Sequence, residues 1–198
     1  MWYEIVIQAL WLVLPAYIAN ASALLVGGGT PIDFKKNWKD GKRILGDGKT
    51  WRGLISGAVV GMAGGFGLSI VAILANESEF AFLGLSDFGR YPLMIPVIGA
   101  ICFGALFGDI IESFFKRRFG KNRGEDWIPF DQIDFIFGAL FFTFIVAGLL
   151  HILGLTSCNW FFKTFSVWHI LVLIVLTPFF HLFANYVNKK LRSKKPVK

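Results

Sequence analysis

Hydrophobic positions along the chain gather into five long runs, at roughly 3–25, 52–75, 91–113, 132–155 and 165–187, divided by segments rich in charge, glycine and proline. Each run is near the ~20 residues that carry a helix across a ~30 Å hydrocarbon core. The pattern predicts an all-α integral membrane protein of five transmembrane helices, folded as one domain over residues 1–198, with a basic tail at 188–198. Gly57, Gly61 and Gly65 in the second run, and Ala100, Gly104 and Gly108 in the third, recur every four residues. Such small-residue stripes let helix backbones approach closely. The first run lacks a basic leading region and carries Glu4, so it reads as a retained span rather than a cleaved signal.

Composition agrees with the pattern. The 198 residues are 55% hydrophobic and only 17% charged, against roughly 25% charged in soluble domains. The net charge of +7 is unevenly placed, because eighteen of the twenty Lys and Arg lie in segments 27–52 and 114–131 or after residue 187. By the excess of basic residues in cytoplasmic loops, the N-terminus is expected outside, with both basic loops and the C-terminus in the cytoplasm. Bases confined to juxtamembrane segments face anionic headgroups, and no nucleic-acid partner is expected. Trp2, Trp51, Trp127, Trp160 and Trp168 fall near the ends of runs, where interfacial anchors sit. Cys102 and Cys158 have neither metal-ligand spacing nor a plausible pairing. His151 and His169 read as interhelical hydrogen-bonding groups, and His181, with Asn185 one turn on, as a group that could face a cavity.

The chemistry concentrates between Asp109 and Asp134, where acids alternate with bases beside apolar helices. Charged groups near hydrocarbon are costly and mark a site. Asp109, Glu112, Ser113 and Lys116 follow the i, i+3, i+4, i+7 spacing and share a helix face. Across the loop, Asp131 and Asp134 are i, i+3 neighbours at the start of the next run, with Gly138 continuing their stripe. Antiparallel helices would bring Asp109, Asp131 and Asp134 to similar depth, and converging carboxylates repel unless a cation neutralises them. An oxygen-only ligand set favours Mg²⁺ over zinc. Glu125 and Asp126 read as solvated loop surface. A loop in which the bases merely neutralise the acids is the competing account.

In the other basic loop, Gly46-Asp47-Gly48-Lys49-Thr50-Trp51-Arg52 contains a GKT that is not a Walker A sequence, since Arg43 stands where that motif needs glycine. Glycine backbone, Lys49, Thr50 and Arg52 at a helix start still suit phosphate contacts. Asn20, at the polar inner end of a run that also holds Pro15 and Tyr17, precedes Gly27-Gly28-Gly29, where a backbone could approach a phosphate.

Taken together, LPAYIANAS, GGGTPID, LGDGKTWRG, a GD, SFFKRR and PFDQIDF resemble the CDP-archaeol synthases, archaeal CTP-dependent cytidylyltransferases related to the CDP-diacylglycerol synthases. Ser113, Lys116, Arg117, Asp131 and Asp134 fit the wider cytidylyltransferase pattern of a serine, a Lys-Arg pair and a later D-R-x-D. Gln132 replaces the arginine, and the His-Gly-Gly of bacterial relatives is absent, which favours an archaeal ether-lipid phosphate. The resemblance implies attack of an isoprenoid glycerol ether phosphate on the α-phosphorus of CTP at the cytoplasmic face of the cell membrane, releasing pyrophosphate. It also implies that Asp109, Asp131 and Asp134 hold Mg²⁺, that Lys116, Arg117 and Arg118 neutralise phosphates, and that Asn20, Gly46, Asp47, Gly48, Lys49, Thr50, Arg52 and Ser113 help seat the nucleotide. A small transporter or flippase with a charged cytoplasmic edge is the alternative, and a CDP-alcohol phosphotransferase lacks its D-G-x2-A-R here.

Overall fold

In a computed structural model the chain is a bundle of helices with no named strand among the described residues, which are 2–122, 125 and 127–193, with side chains as far as residue 180. Long helices α1 (Trp2–Val26), α2 (Trp51–Asn76), α3 (Met94–Arg118) and α4 (Phe130–Ile152) are followed by a one-turn α5 (Trp160–Thr164) and by α6 (Val167–Ser193). Helices α1 to α4 are long and apolar enough to cross a membrane, and α6 adds an apolar stretch over Val167–Phe180. Two helices extend well past the ends of their apolar runs: α3 continues through Lys116–Arg118 and α6 into the expected tail, of which 194–198 lie outside the described residues. In lipid, a backbone leaving the helix would strand polar groups, so helices persist until the interface supplies partners.

Among these spans α3 is the central one, with 56% of its apolar window buried against 28–39% for the others. The glycine stripes explain how it is enclosed. Gly57 and Gly61 of α2 meet Ala19 of α1, while Gly65 meets Ile98 of α3. On the other side, a side chain at Gly104 would sit 2.5 Å from the Gly138 carbonyl, and Gly108 is pressed equally against Asp134 and Gly138 of α4. Small residues therefore bring α3 and α4 together at the level where the acids begin.

The bundle has two unlike ends. One carries the connections 77–93 and 153–166. There, Gln8 of α1 donates to the Leu83 carbonyl at 2.8 Å and Trp11 to the Ser86 carbonyl at 2.9 Å. His169 of α6 reaches Gln8 at 3.2 Å, an interhelical bond, whereas His151 bonds the Thr156 carbonyl in the nearby connection and not another helix among the described residues. The side chains of His181 and Asn185 lie outside the described residues. Both cysteines are free, Cys102 buried and Cys158 exposed. The other end carries the basic connections, and the site lies there.

Candidate active site

The 27–50 connection is a small folded unit built around Asp33. Its backbone crosses itself through Ile32 N–H to Lys49 O at 2.8 Å and Trp51 N–H to Thr30 O at 3.1 Å. The Asp33 carboxylate accepts from the Arg43 guanidinium at 2.9 Å and from the backbone N–H groups of Lys35, Leu45 and Gly46 at 3.0 Å each. Burial alone would raise its pKa, but the Arg43 and backbone hydrogen bonds outweigh burial and hold it at about 2. Thr50 caps α2, its hydroxyl accepting from the N–H groups of Gly53 at 3.1 Å and Gly28 at 3.2 Å. The hub and the cap fix the backbone on either side of Lys49.

Lys49 reaches across to α3, where its ammonium lies 2.6 Å from the Asp109 carboxylate. Asp109, Glu112 and Asp134 bring carboxylate oxygens within 4.8 Å of one another. This convergence follows from the crossing of Gly108 against Asp134 and Gly138, which stacks the last turns of α3 on the first turns of α4. Glu112 is 8% exposed; Ser113 donates to one of its oxygens at 3.3 Å, and the other, Oε1, accepts no hydrogen bond and lies 3.9 Å from the Lys116 ammonium. Three oxygen donors, one of them buried and without a hydrogen bond, fit a hard divalent cation such as Mg²⁺.

Asp131 has different company. Both of its oxygens lie 2.7 Å from the Lys116 ammonium, and one also accepts from Trp127 N–H at 2.9 Å. The cluster thus includes two of the three acids expected to converge, with Glu112 beside them and Asp131 linked through Lys116, which is 3.9 Å from Glu112. Helical spacing had put Glu112 on the face of Asp109, and that was the signal for it. Asp33 had no comparable signal, because its importance comes from four donors scattered over 35–46.

The remaining expected residues divide by what they touch. A cavity of about 530 Å³ is lined by Tyr17, Asn20, Gly48, Lys49, Thr50, Asp109 and Asp131, among others. Gly46 packs against the Arg117 side chain, 3.3 Å from where a Cβ would stand, and Asp47 pairs with Arg43 at 2.9 Å. Arg117 donates to the carbonyls of Leu45 and Lys121, while Arg118 bonds Asp40 at 2.9 Å and the Lys42 and Arg43 carbonyls and stacks on Phe114. Both arginines therefore fasten the first connection to the end of α3, and neither lines the cavity. Arg52 is exposed and Ser113 faces Glu112; neither lines it either. Glu125 is exposed and bonded to Asn122 at 2.7 Å; Asp126 lies outside the described residues.

On the opposite side of the α3–α4 pair is a groove of about 1070 Å³ walled by Phe115, Phe119, Trp127, Phe130, Phe137 and Phe141, with Glu112 and Asp134 at its polar end. A cavity of mixed lining, reached by Asp109, and an aromatic groove, reached by Glu112 and Asp134, thus flank one group of carboxylates.

Comparison with known proteins agrees with this architecture. A family model described as "CarS-like: CDP-archaeol synthase" matches residues 2–197. Relatives named CDP-archaeol synthase include that of Methanosarcina barkeri, 40% identical over 92% of this chain and 98% of its own. The Thermococcus onnurineus protein of that name is 41% identical over 94% of this chain and 93% of its own. A solved structure described as an intramembrane enzyme for archaeal membrane lipids biosynthesis is 32% identical, covers 91% of this chain and 94% of that one, and superposes with a TM-score of 0.69. The helical bundle is that of an intramembrane enzyme of lipid biosynthesis. More narrowly, the chain belongs to the CDP-archaeol synthase family, which makes it a cytidylyltransferase rather than a transporter.

Proposed function

We propose that the chain transfers CMP from CTP to 2,3-bis-O-(geranylgeranyl)-sn-glycerol 1-phosphate, giving the CDP-lipid and pyrophosphate, with Mg²⁺ at the carboxylate cluster on the cytoplasmic face of the membrane. The observation that carries this reading is a carboxylate cluster set between two cavities, with Asp109 lining one and Glu112 and Asp134 lining the other. Triphosphate and cytidine suit the cavity with Asn20, Gly48 and Lys49; a branched apolar tail suits the aromatic groove. The basic connections at this end support the cytoplasmic orientation.

The lipid phosphate is the nucleophile. With a second pKa near 6 it is mostly dianionic at neutral pH and needs no general base, consistent with the absence of histidine from the linings of both cavities among the described side chains, which do not include that of His181. The barrier lies in bringing two polyanions together, so positioning and charge neutralisation carry the catalysis. Asp109, Glu112 and Asp134 would hold Mg²⁺, whose chemistry there is to neutralise and orient phosphate oxygens. Asp131 holds the Lys116 ammonium beside the cluster, and Lys49 supplies a second positive charge on the cavity side. Arg117 and Arg118 act on the phosphates indirectly, by holding Gly46 to Lys49 in place.

The test is direct. Purified protein given CTP, Mg²⁺ and the geranylgeranyl ether phosphate should release pyrophosphate and CDP-lipid together, and Asp134→Asn should lower the rate about 100-fold or more. Full activity in Asp134→Asn, or no product from the wild type, would sink the reading. Release of CMP from CDP-lipid would instead identify a phosphotransferase.

A further inference from the structure

We infer that Lys49 is an exchangeable cation that guards Asp109 until nucleotide arrives, so that metal and CTP bind cooperatively through this one ammonium. The inference rests on the proposed binding of a divalent cation and CTP at this site.

Two lysines face the acids, and they are held differently. Lys116 is 8% exposed, lies 2.7 Å from both oxygens of Asp131 and is 3.9 Å from Glu112, so it is enclosed by carboxylates. Among the described residues Lys49 makes one close ion pair, with Asp109 Oδ2 at 2.6 Å, and both of these side chains line the cavity and are about one-fifth exposed (22% and 23%). The Lys49 backbone is pinned, its carbonyl accepting from Ile32 N–H at 2.8 Å and its N–H donating to Gly46 O at 3.4 Å. The long side chain can therefore change partner by rotation while the loop stays still.

Asp109 is also one of the three carboxylates whose oxygens converge. An ammonium and a divalent cation compete for it, so in the free protein Lys49 weakens metal binding. A triphosphate in the cavity offers Lys49 another anion, releases Asp109 and strengthens metal binding. By linkage, metal strengthens nucleotide binding by the same factor. In the same way, while Lys49 stays on Asp109 it is withheld from nucleotide that arrives without metal.

The consequence is counterintuitive for a metal ligand: Asp109→Asn should tighten metal-free CTP binding. Bulk electrostatics also predicts some gain from removing a negative charge, so the discriminating measurement is a double-mutant cycle on the full-length protein in detergent. CTP affinity is measured by calorimetry in EDTA, and Mn²⁺ affinity without nucleotide by the EPR signal of free Mn²⁺. Exchange predicts that Asp109→Asn tightens metal-free CTP binding at least about fivefold more in the wild-type background than in a Lys49→Met background. It predicts that Lys49→Met tightens Mn²⁺ binding by at least about fivefold. Lys49→Gln repeats the cycle, and thermal unfolding confirms that each variant is folded. Equal gains from Asp109→Asn in both backgrounds, or Mn²⁺ binding unchanged in Lys49→Met, overturn the exchange while leaving the enzyme assignment intact. A wild type that binds neither Mn²⁺ nor CTP overturns the site itself, and the exchange with it.

Discussion

The two ends of the bundle are tied by different chemistry. At the end carrying 77–93 and 153–166, helices are joined to each other and to loops by neutral bonds from Gln8, Trp11, Ser69, Asn76 and His169; an ion pair there, exposed Arg90 with Asp87, is local. At the basic end the ties are charged: Asp33 with Arg43, Lys49 with Asp109, Lys116 with Asp131, Arg118 with Asp40. Neutral bonds hold one geometry at modest cost. Charged groups accept substitute partners, which suits an end where polyanions and a cation must enter and leave. The difference separates a structural clamp from a reactive surface built on the same helices.

Removing Lys116 tests that contrast most severely. Lys116→Met leaves Asp131 and Glu112 facing each other without their ammonium, and is expected to cost about 3–5 kcal/mol, the cost of orphaning one side of a buried pair. Thermal unfolding in detergent measures it, and an unchanged midpoint would mean that the pair contributes nothing.

Asp33 comes next. Its depressed pKa means that the folded state favours the ionised form, so its contribution is complete above the ordinary Asp value near 3.8 and fades as pH falls through about 2. Asp33→Asn should cost at most about 2 kcal/mol at neutral pH and weaken CTP binding by loosening Gly46 to Lys49. Its stability should also lose the decline that the wild type shows between roughly pH 4 and pH 2. An identical acid profile in wild type and variant would remove Asp33 as the hub.

At the neutral end the sign of the comparison should reverse. Gln8→Ala removes bonds to Leu83 and His169 and is expected to lower stability by about 1–2 kcal/mol, while kcat and the KM for CTP stay at wild-type values. A large change in KM would break the division between the two ends. Smallest of all, Glu125→Gln on the exposed loop should shift stability by less than about 0.5 kcal/mol and leave turnover unchanged.

Much of this contrast was readable along the chain. Apolar runs near twenty residues long leave little choice but membrane helices, and the placement of Lys and Arg separates one end from the other. The 3₁₀ turn at Glu79–Leu83 and the short α5 escaped notice because five residues cannot display a period. The acids were legible as a group, since i, i+3 spacing puts Asp109 with Glu112 and Asp131 with Asp134 whatever the helices pack against.

Hydropathy and spacing are local properties, and they were enough for the class of fold, the charged end and the pairs of acids that share a face. Which of those acids meet across the hairpin depends on where α3 crosses α4, and the contact of Gly104 and Gly108 with Gly138 sets that point. Glu112 therefore joins Asp109 and Asp134, while Asp131 turns to Lys116. The same holds for Arg117 and Arg118, which folding brings onto the carbonyls of Leu45 and of Lys42 and Arg43. Charge along a chain marks where ions can be held; only the packing of distant segments assigns each charge its partner.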